Sequence, residues 1–122
     1  MNSKNIVLKI ICCFLISTCD LECQVITYYN TENSEIPFNT VRCIELQNNG
    51  LWVGTDAGLA RFINNQWEIF DSNNSPLYSD DIRALKADGD SIIWIGTVNG
   101  GLFSYDGSNW ENFNVSNSGL LD

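Results

Sequence analysis

Parts of this 122-residue chain repeat one another. Leu51-Trp52-Val53-Gly54-Thr55 recurs as Ile93-Trp94-Ile95-Gly96-Thr97, an offset of 42 residues. Gly58-Leu59-Ala60-Arg61-Phe62 recurs as Gly101-Leu102-Phe103-Ser104-Tyr105, and Gln66-Trp67-Glu68-Ile69-Phe70 as Asn109-Trp110-Glu111-Asn112-Phe113, both at an offset of 43. After residue 24 an Asn-Ser pair appears three times, at Asn33-Ser34, Asn74-Ser75 and Asn117-Ser118. A period of this length constrains the fold more than any single motif. Each copy must be one supersecondary unit that buries its apolar face against a neighbour.

Within a copy, short apolar runs are separated by turn residues. The first copy predicts strands at 41–46, 51–55, 59–63 and 67–70, and the second at 82–87, 92–97, 101–105 and 109–113. The intervening Asn-Asn, Asn-Gly, Asp-Gly and Gly-Gly pairs accept the positive φ of tight hairpins. No segment after residue 24 has a helical apolar period. A four-stranded antiparallel meander repeated about every 42 residues is the sequence form of a β-propeller blade. The expected fold is therefore all-β, with two complete blades plus a partial one in an incomplete ring. A closed barrel or sandwich would not impose this period. Stacked blades are covered on both sides, which explains why 91–96 does not alternate between apolar and polar. Gly54 and Gly96 are expected where a neighbouring sheet or a Trp ring presses closely.

Charge and composition then remove whole classes of function. Six Lys and Arg stand against fifteen Asp and Glu, a net charge of −9 that disfavours nucleic acid as a partner. There is no histidine, so Ser-His-Asp and Cys-His constellations and His-based metal sites are excluded. No cofactor is implied. With 44% hydrophobic residues and four Trp, the chain is not a disordered acidic tail.

The N-terminus reads as an address, a helical signal segment over 1–23. Lys4 and Lys9 precede the apolar run 10–16, which is shorter than the roughly 20 residues of a membrane span. Three processing outcomes fit: cleavage after Cys19, lipidation of Cys19 in the lipobox-like Ile16-Ser17-Thr18-Cys19, or cleavage after Cys23. The expected location is exported: periplasmic, cell-surface or secreted. Past residue 23, Cys43 is the single cysteine. It aligns with Ala84, so it is expected as a small buried apolar residue rather than a reactive thiol.

The run LWVGTDAGLARF…QWEIFDSNNSPLYSDDIRAL…IIWIGTVNGGLFSYDGSNWENFNVSNSGL resembles the two-component regulator propeller repeat family. The signature positions here are Trp52, Gly54, Thr55, Gly58 and Trp67, then Trp94, Gly96, Thr97, Gly101 and Trp110. The resemblance covers about 24–122 and divides it into a partial blade (24–40, last strand and turn) and repeats at 41–81 and 82–122. It implies an extracytoplasmic sensor of the kind that responds to glycans and signals across a membrane. Tyr78 stands where the family's turn has proline, and Ile26 where Trp67 and Trp110 stand.

Few residues could carry chemistry. Asp80-Asp81 and Asp88-Gly89-Asp90 lack the ligand series of a calcium loop and read as turn residues. The four Trp, with Phe70 and Phe113, could stack on sugars, but their recurrence at repeat positions reads as packing. Arg42 and Arg83 share a position on the first strand of each copy, where they would line a central channel and contact ligand, or pair with Glu45 or Asp81. Arg61 is the other polar side chain of interest. The expected function is non-catalytic sensing or binding in an N-terminal piece of a longer two-component-type sensor. The alternatives are an exported or lipid-anchored structural or adhesive scaffold, and a fragment of a polysaccharide-active propeller enzyme. Expected partners are further blades, from a longer chain or by self-association, and a glycan. Membrane contact would come through a lipid anchor or a downstream region.

Overall fold

The computed structural model describes residues 6–8, 27–48 and 50–121. Strands β1 (Ile6–Leu8) and β2 (Thr27–Tyr29) form an antiparallel pair. One four-stranded antiparallel sheet follows, from β3 (Val41–Gln47), β4 (Gly50–Thr55), β5 (Gly58–Ile63) and β6 (Gln66–Phe70). A second comprises β7 (Ile82–Asp88), β8 (Ile92–Thr97), β9 (Gly101–Tyr105) and β10 (Trp110–Phe113). Each sheet is a simple meander in chain order. All eight predicted strands are present, and no helix occurs among the described residues.

The N-terminal expectation needs one correction. Ile6–Leu8, inside the segment expected to be helical, is a strand, with Ile6 opposite Tyr29 and Leu8 opposite Thr27. β-branched Ile6 and Val7 fit a pleated ladder better than a helix, and the edge of β2 supplies the backbone partners. The apolar run 10–16, the cleavage positions and the lipidation candidate Cys19 lie outside the described residues, as do Val25 and Ile26 of the partial repeat.

Turn chemistry closes the meanders. Asn64 and Asn65 both take positive φ (50° and 66°), the mirror-image two-residue turn that joins β5 to β6 without splaying them. Asn48 does the same at the end of β3 with φ 47°. The Thr55 hydroxyl donates to the Gly58 carbonyl at 2.8 Å, and Thr97 to Gly101 at 2.9 Å. Gly58 and Gly101 hold φ of 138° and 86°, values that side-chain-bearing residues rarely adopt.

The Asn-Ser pairs build one loop three times. The Ser34, Ser75 and Ser118 N–H groups donate to the carbonyls of Asn30, Asp71 and Asn114 at 2.9–3.0 Å. Asn33, Asn74 and Asn117 donate their side-chain amides to the carbonyls of Tyr28, Ile69 and Asn112 at 2.8–2.9 Å. Between β6 and β7 this loop drops Leu77 into the core, 2% exposed.

The two sheets pack face to face. Trp52 and Leu59 of the first sheet meet Ile82, Ile93, Ile95 and Phe103 of the second, with Leu77 beside them. Each such side chain contributes about 1.5–3 kcal/mol on full burial. Polar contacts cross at the β3 side: Glu45 Oε1 accepts the Ala87 N–H at 2.8 Å, and the Gln47 amide donates to the Ile92 carbonyl at 2.7 Å. An aromatic contact recurs along the stack. Phe70 seats against Tyr105 and Trp110 with ring centroids at 5.6 and 5.7 Å, and Tyr29 seats against Phe62 and Trp67 at 5.7 and 5.4 Å. In the first case the seat is the next sheet. In the second, β2 provides the ring that sits on the front of the first sheet.

Candidate functional site

Arg42 and Arg83 occupy β-bulges. Val41 pairs with Thr55 and Cys43 with Gly54, which leaves Arg42 without a cross-strand partner; Ile82, Ala84 and Arg83 repeat the arrangement. A bulge breaks the alternation of faces and re-aims the side chain. Both arginines reach half-buried carboxylates. Arg42 Nε and Nη2 donate to Asp56 at 2.5 and 2.9 Å, and Arg83 Nε and Nη2 to Asp81 at 2.6 and 2.7 Å. The hydrogen bonds from Arg42 hold the Asp56 carboxyl below the usual carboxylate range, and each raises its arginine in turn. The pairing with Asp81 is one of those expected from the sequence; Arg42 chooses Asp56 rather than Glu45.

The acidic pairs have structural roles. Asp80 accepts the Ser72 N–H at 2.7 Å, as Asn39 accepts that of Thr31 at 2.9 Å. Asp88 receives the Trp94 indole N–H at 3.5 Å. Cys43 is half-buried and burial pushes its thiol pKa up, away from thiolate reactivity.

The signature residues divide by position rather than by type. Trp52 is 2% exposed between the sheets, whereas its counterpart Trp94 lies half-buried on the outer face of the second sheet. Trp67 and Trp110 are half-buried seats for Tyr29 and Phe70. Gly54 is pressed by Ile82 of the second sheet; Gly96 meets only Ala84 of its own sheet.

A cleft of about 180 Å³ opens between the sheets, lined by Gln47, Trp52, Arg61, Asp90, Ser91, Tyr105, Asp106 and Gly107. Arg61, on β5 opposite Trp52, lays its guanidinium over the Trp52 ring with Cζ 5.1 Å from the centroid. Its Nη1 stands 3.6 Å from Glu68, and its buried Nε has no hydrogen-bond partner among the described residues. The Tyr105 hydroxyl donates to the Gly107 carbonyl at 2.8 Å. Burial, then the Glu68 charge, raises the Tyr105 phenol above its ordinary range. The Asp106 carboxylate accepts the Asn109 N–H at 2.7 Å, the Asn109 side-chain amide at 3.1 Å and the Ser108 N–H at 2.9 Å, and those bonds lower its pKa.

The cleft brings together residues in which the two copies differ. Arg61 has Ser104 as its counterpart, since both pair opposite the repeat Trp. Asp106 stands where the first copy has Ile63, one residue after the matching Phe62 and Tyr105. Sequence reasoning favoured Arg42 and Arg83 because they match; the signal for this site was mismatch. No family model, no curated protein and no solved structure matches the chain.

Proposed function

We propose that the chain is a non-catalytic, extracytoplasmic propeller segment whose two sheets are consecutive blades, and that it binds a small polar ligand in the Arg61 cleft. The repeated seating of an aromatic ring on the next sheet supports the blade reading, and the basic, then apolar N-terminus supports export. One observation carries the binding reading: polar residues that break the repeat, Arg61 and Asp106, converge on one cleft between the sheets.

The charges choose the ligand. Asp90 and Asp106 share the cleft with Arg61, so a bare anion would meet two carboxylates. A neutral polyhydroxyl ligand suits both, because a hydroxyl accepts from Arg61 and donates to Asp90. This agrees with the glycan class that the family resemblance implies. The cleft is smaller than the roughly 300–1,000 Å³ of drug-sized pockets, which fits a single sugar unit of a longer chain.

Calorimetric titration of the full chain with a panel of mono- and oligosaccharides tests this. At least one sugar should bind, and Arg61→Ala should weaken it roughly 10–100-fold, the value of a hydrogen bond from a charged donor. Sugar binding that survives Arg61→Ala would move the site out of this cleft, and binding to protein surfaces alone would replace sensing by the scaffold role.

A further inference from the structure

The outer face of the second sheet repeats the face of the first sheet that the second sheet covers. Trp94, Leu102 and Phe113 stand where Trp52, Leu59 and Phe70 stand, as the cross-strand pairing shows: Leu102 lies opposite Gly96 and Phe113, as Leu59 lies opposite Gly54 and Phe70. Even the internal geometry is kept, with Trp94–Phe113 centroids at 5.6 Å and Trp52–Phe70 at 5.9 Å. What differs is the cover. Leu59 is fully buried, while Leu102 and Trp94 are half-buried and no further sheet lies over them among the described residues.

We infer that this outer face is the seat of a further four-stranded sheet of the same repeat, one that presents an aromatic pair to Phe113 and a carboxylate beside Lys86. The aromatic requirement follows from the interface already formed. Tyr29, Phe70 and Phe113 are successive members of one series, and the first two each sit on a Phe/Tyr–Trp pair of the following sheet. The charge requirement follows from Lys86, which takes the place of Glu45 at the β3 side. Within the chain these two positions already face each other, with Lys86 Nζ 3.5 Å from Glu45 Oε1. An incoming sheet with an acid at that position continues the alternation, and one with a lysine would repel.

A second copy of the described fold is not the occupant. Stacked head to tail, it would offer the front of its first sheet, and there Tyr29 already sits on Phe62 and Trp67. Phe113 would have to displace it. A sheet with nothing over its aromatic pair has no such conflict.

This inference rests on the blade reading above. It is tested by extending the full chain after Asp122 with a copy of 39–81, which begins in phase with Asp80 and carries Glu45 into position beside Lys86. The expected result is one cooperative melt, with a Tm several degrees above that of the unextended chain. Gly96→Ala is the diagnostic substitution. A Cβ at Gly96 meets only Ala84 at 3.3 Å in the present chain, whereas one at Gly54 would stand 2.7 Å from Ile82 of the covering sheet. Gly96→Ala should therefore lower Tm less in the unextended chain than in the extended one. Lys86→Glu sets an acid beside Glu45 and should lower Tm in both proteins, by more in the extended one, and Glu45→Lys in the appended copy should recover only that excess. Two separate melts with Gly96→Ala costing equally in both proteins would overturn the inference. So would a concentration-dependent dimer of the unextended chain that Gly96→Ala weakens. Either failure leaves the sugar titration and its Arg61→Ala control untouched, so the two readings fail separately.

Discussion

A Cβ on Gly54 would stand 2.7 Å from Ile82 Cγ2 and 3.1 Å from Ile82 Cβ, across the interface between the sheets. Gly54 is thus a point at which the second sheet presses on the backbone of the first. Cys43 Sγ, 2.6 Å from the same point, can rotate away, but the branched Ile82 root cannot. Gly54→Ala should cost about 1–3 kcal/mol by overpacking. Gly96→Ala in the same chain should cost less, because its Cβ meets only Ala84, at 3.3 Å, with no second sheet across it. Urea unfolding of both variants checks the pair, and equal losses would show that the sheets do not press together here.

The Asn74 side chain ties the turn to β6 through the Ile69 carbonyl. Asn74→Ala removes that donor and should cost about 1 kcal/mol. Asn74→Asp should cost more, because it sets a carboxylate against a carbonyl oxygen. The loop recurs at Asn33 and Asn117, so the effect at Asn33, between the described β2 and β3, should be similar. Thermal unfolding of the three variants measures this, and a silent Asn74→Ala would reduce the recurrence to coincidence.

Leu77 sits in a turn yet is 2% exposed within the core cluster. Leu77→Ala should cost about 2–5 kcal/mol, the range for a leucine removed from a packed core. Its neighbour Tyr78 is 72% exposed, and Tyr78→Ala should cost much less. Comparable losses at the two positions would mean the loop does not plug the core.

Asp56 titrates below the ordinary carboxylate value because Arg42 donates two hydrogen bonds to it. A folded pKa below the unfolded one adds stability above the unfolded value, near 3.9, and that stability is lost as pH falls through the folded value. Arg42→Ala should return the Asp56 carboxyl toward its ordinary pKa in an NMR titration. An unchanged midpoint would mean the pair is open in solution.

Much of this architecture was legible in the residue order. Turn pairs such as Asn64-Asn65 mark hairpins within the sheets, because positive φ and local side-chain bonds are properties of a few consecutive residues. The period itself announced two like units of four strands. The bulges were not legible: nothing in Val41-Arg42-Cys43 distinguishes an extra unpaired residue from a paired one, since a bulge is defined by the opposite strand. Arg42 and Arg83 therefore had known positions but unknown directions.

The repeat by itself determined the strands, their order and the recurring loops, all of which are set by contacts close in sequence. Only the tertiary structure decided the fate of chemically identical residues. Trp52 is core and Trp94 is half-buried surface, though each sits in the same Trp-x-Gly-Thr strand, because burial depends on whether another sheet lies across it. Arg61 became the candidate ligand contact for the same reason. Its guanidinium rests on Trp52 beneath an edge formed by Asp90, Tyr105 and Asp106, and residues 29–45 positions away in the chain can meet it only when two sheets stack.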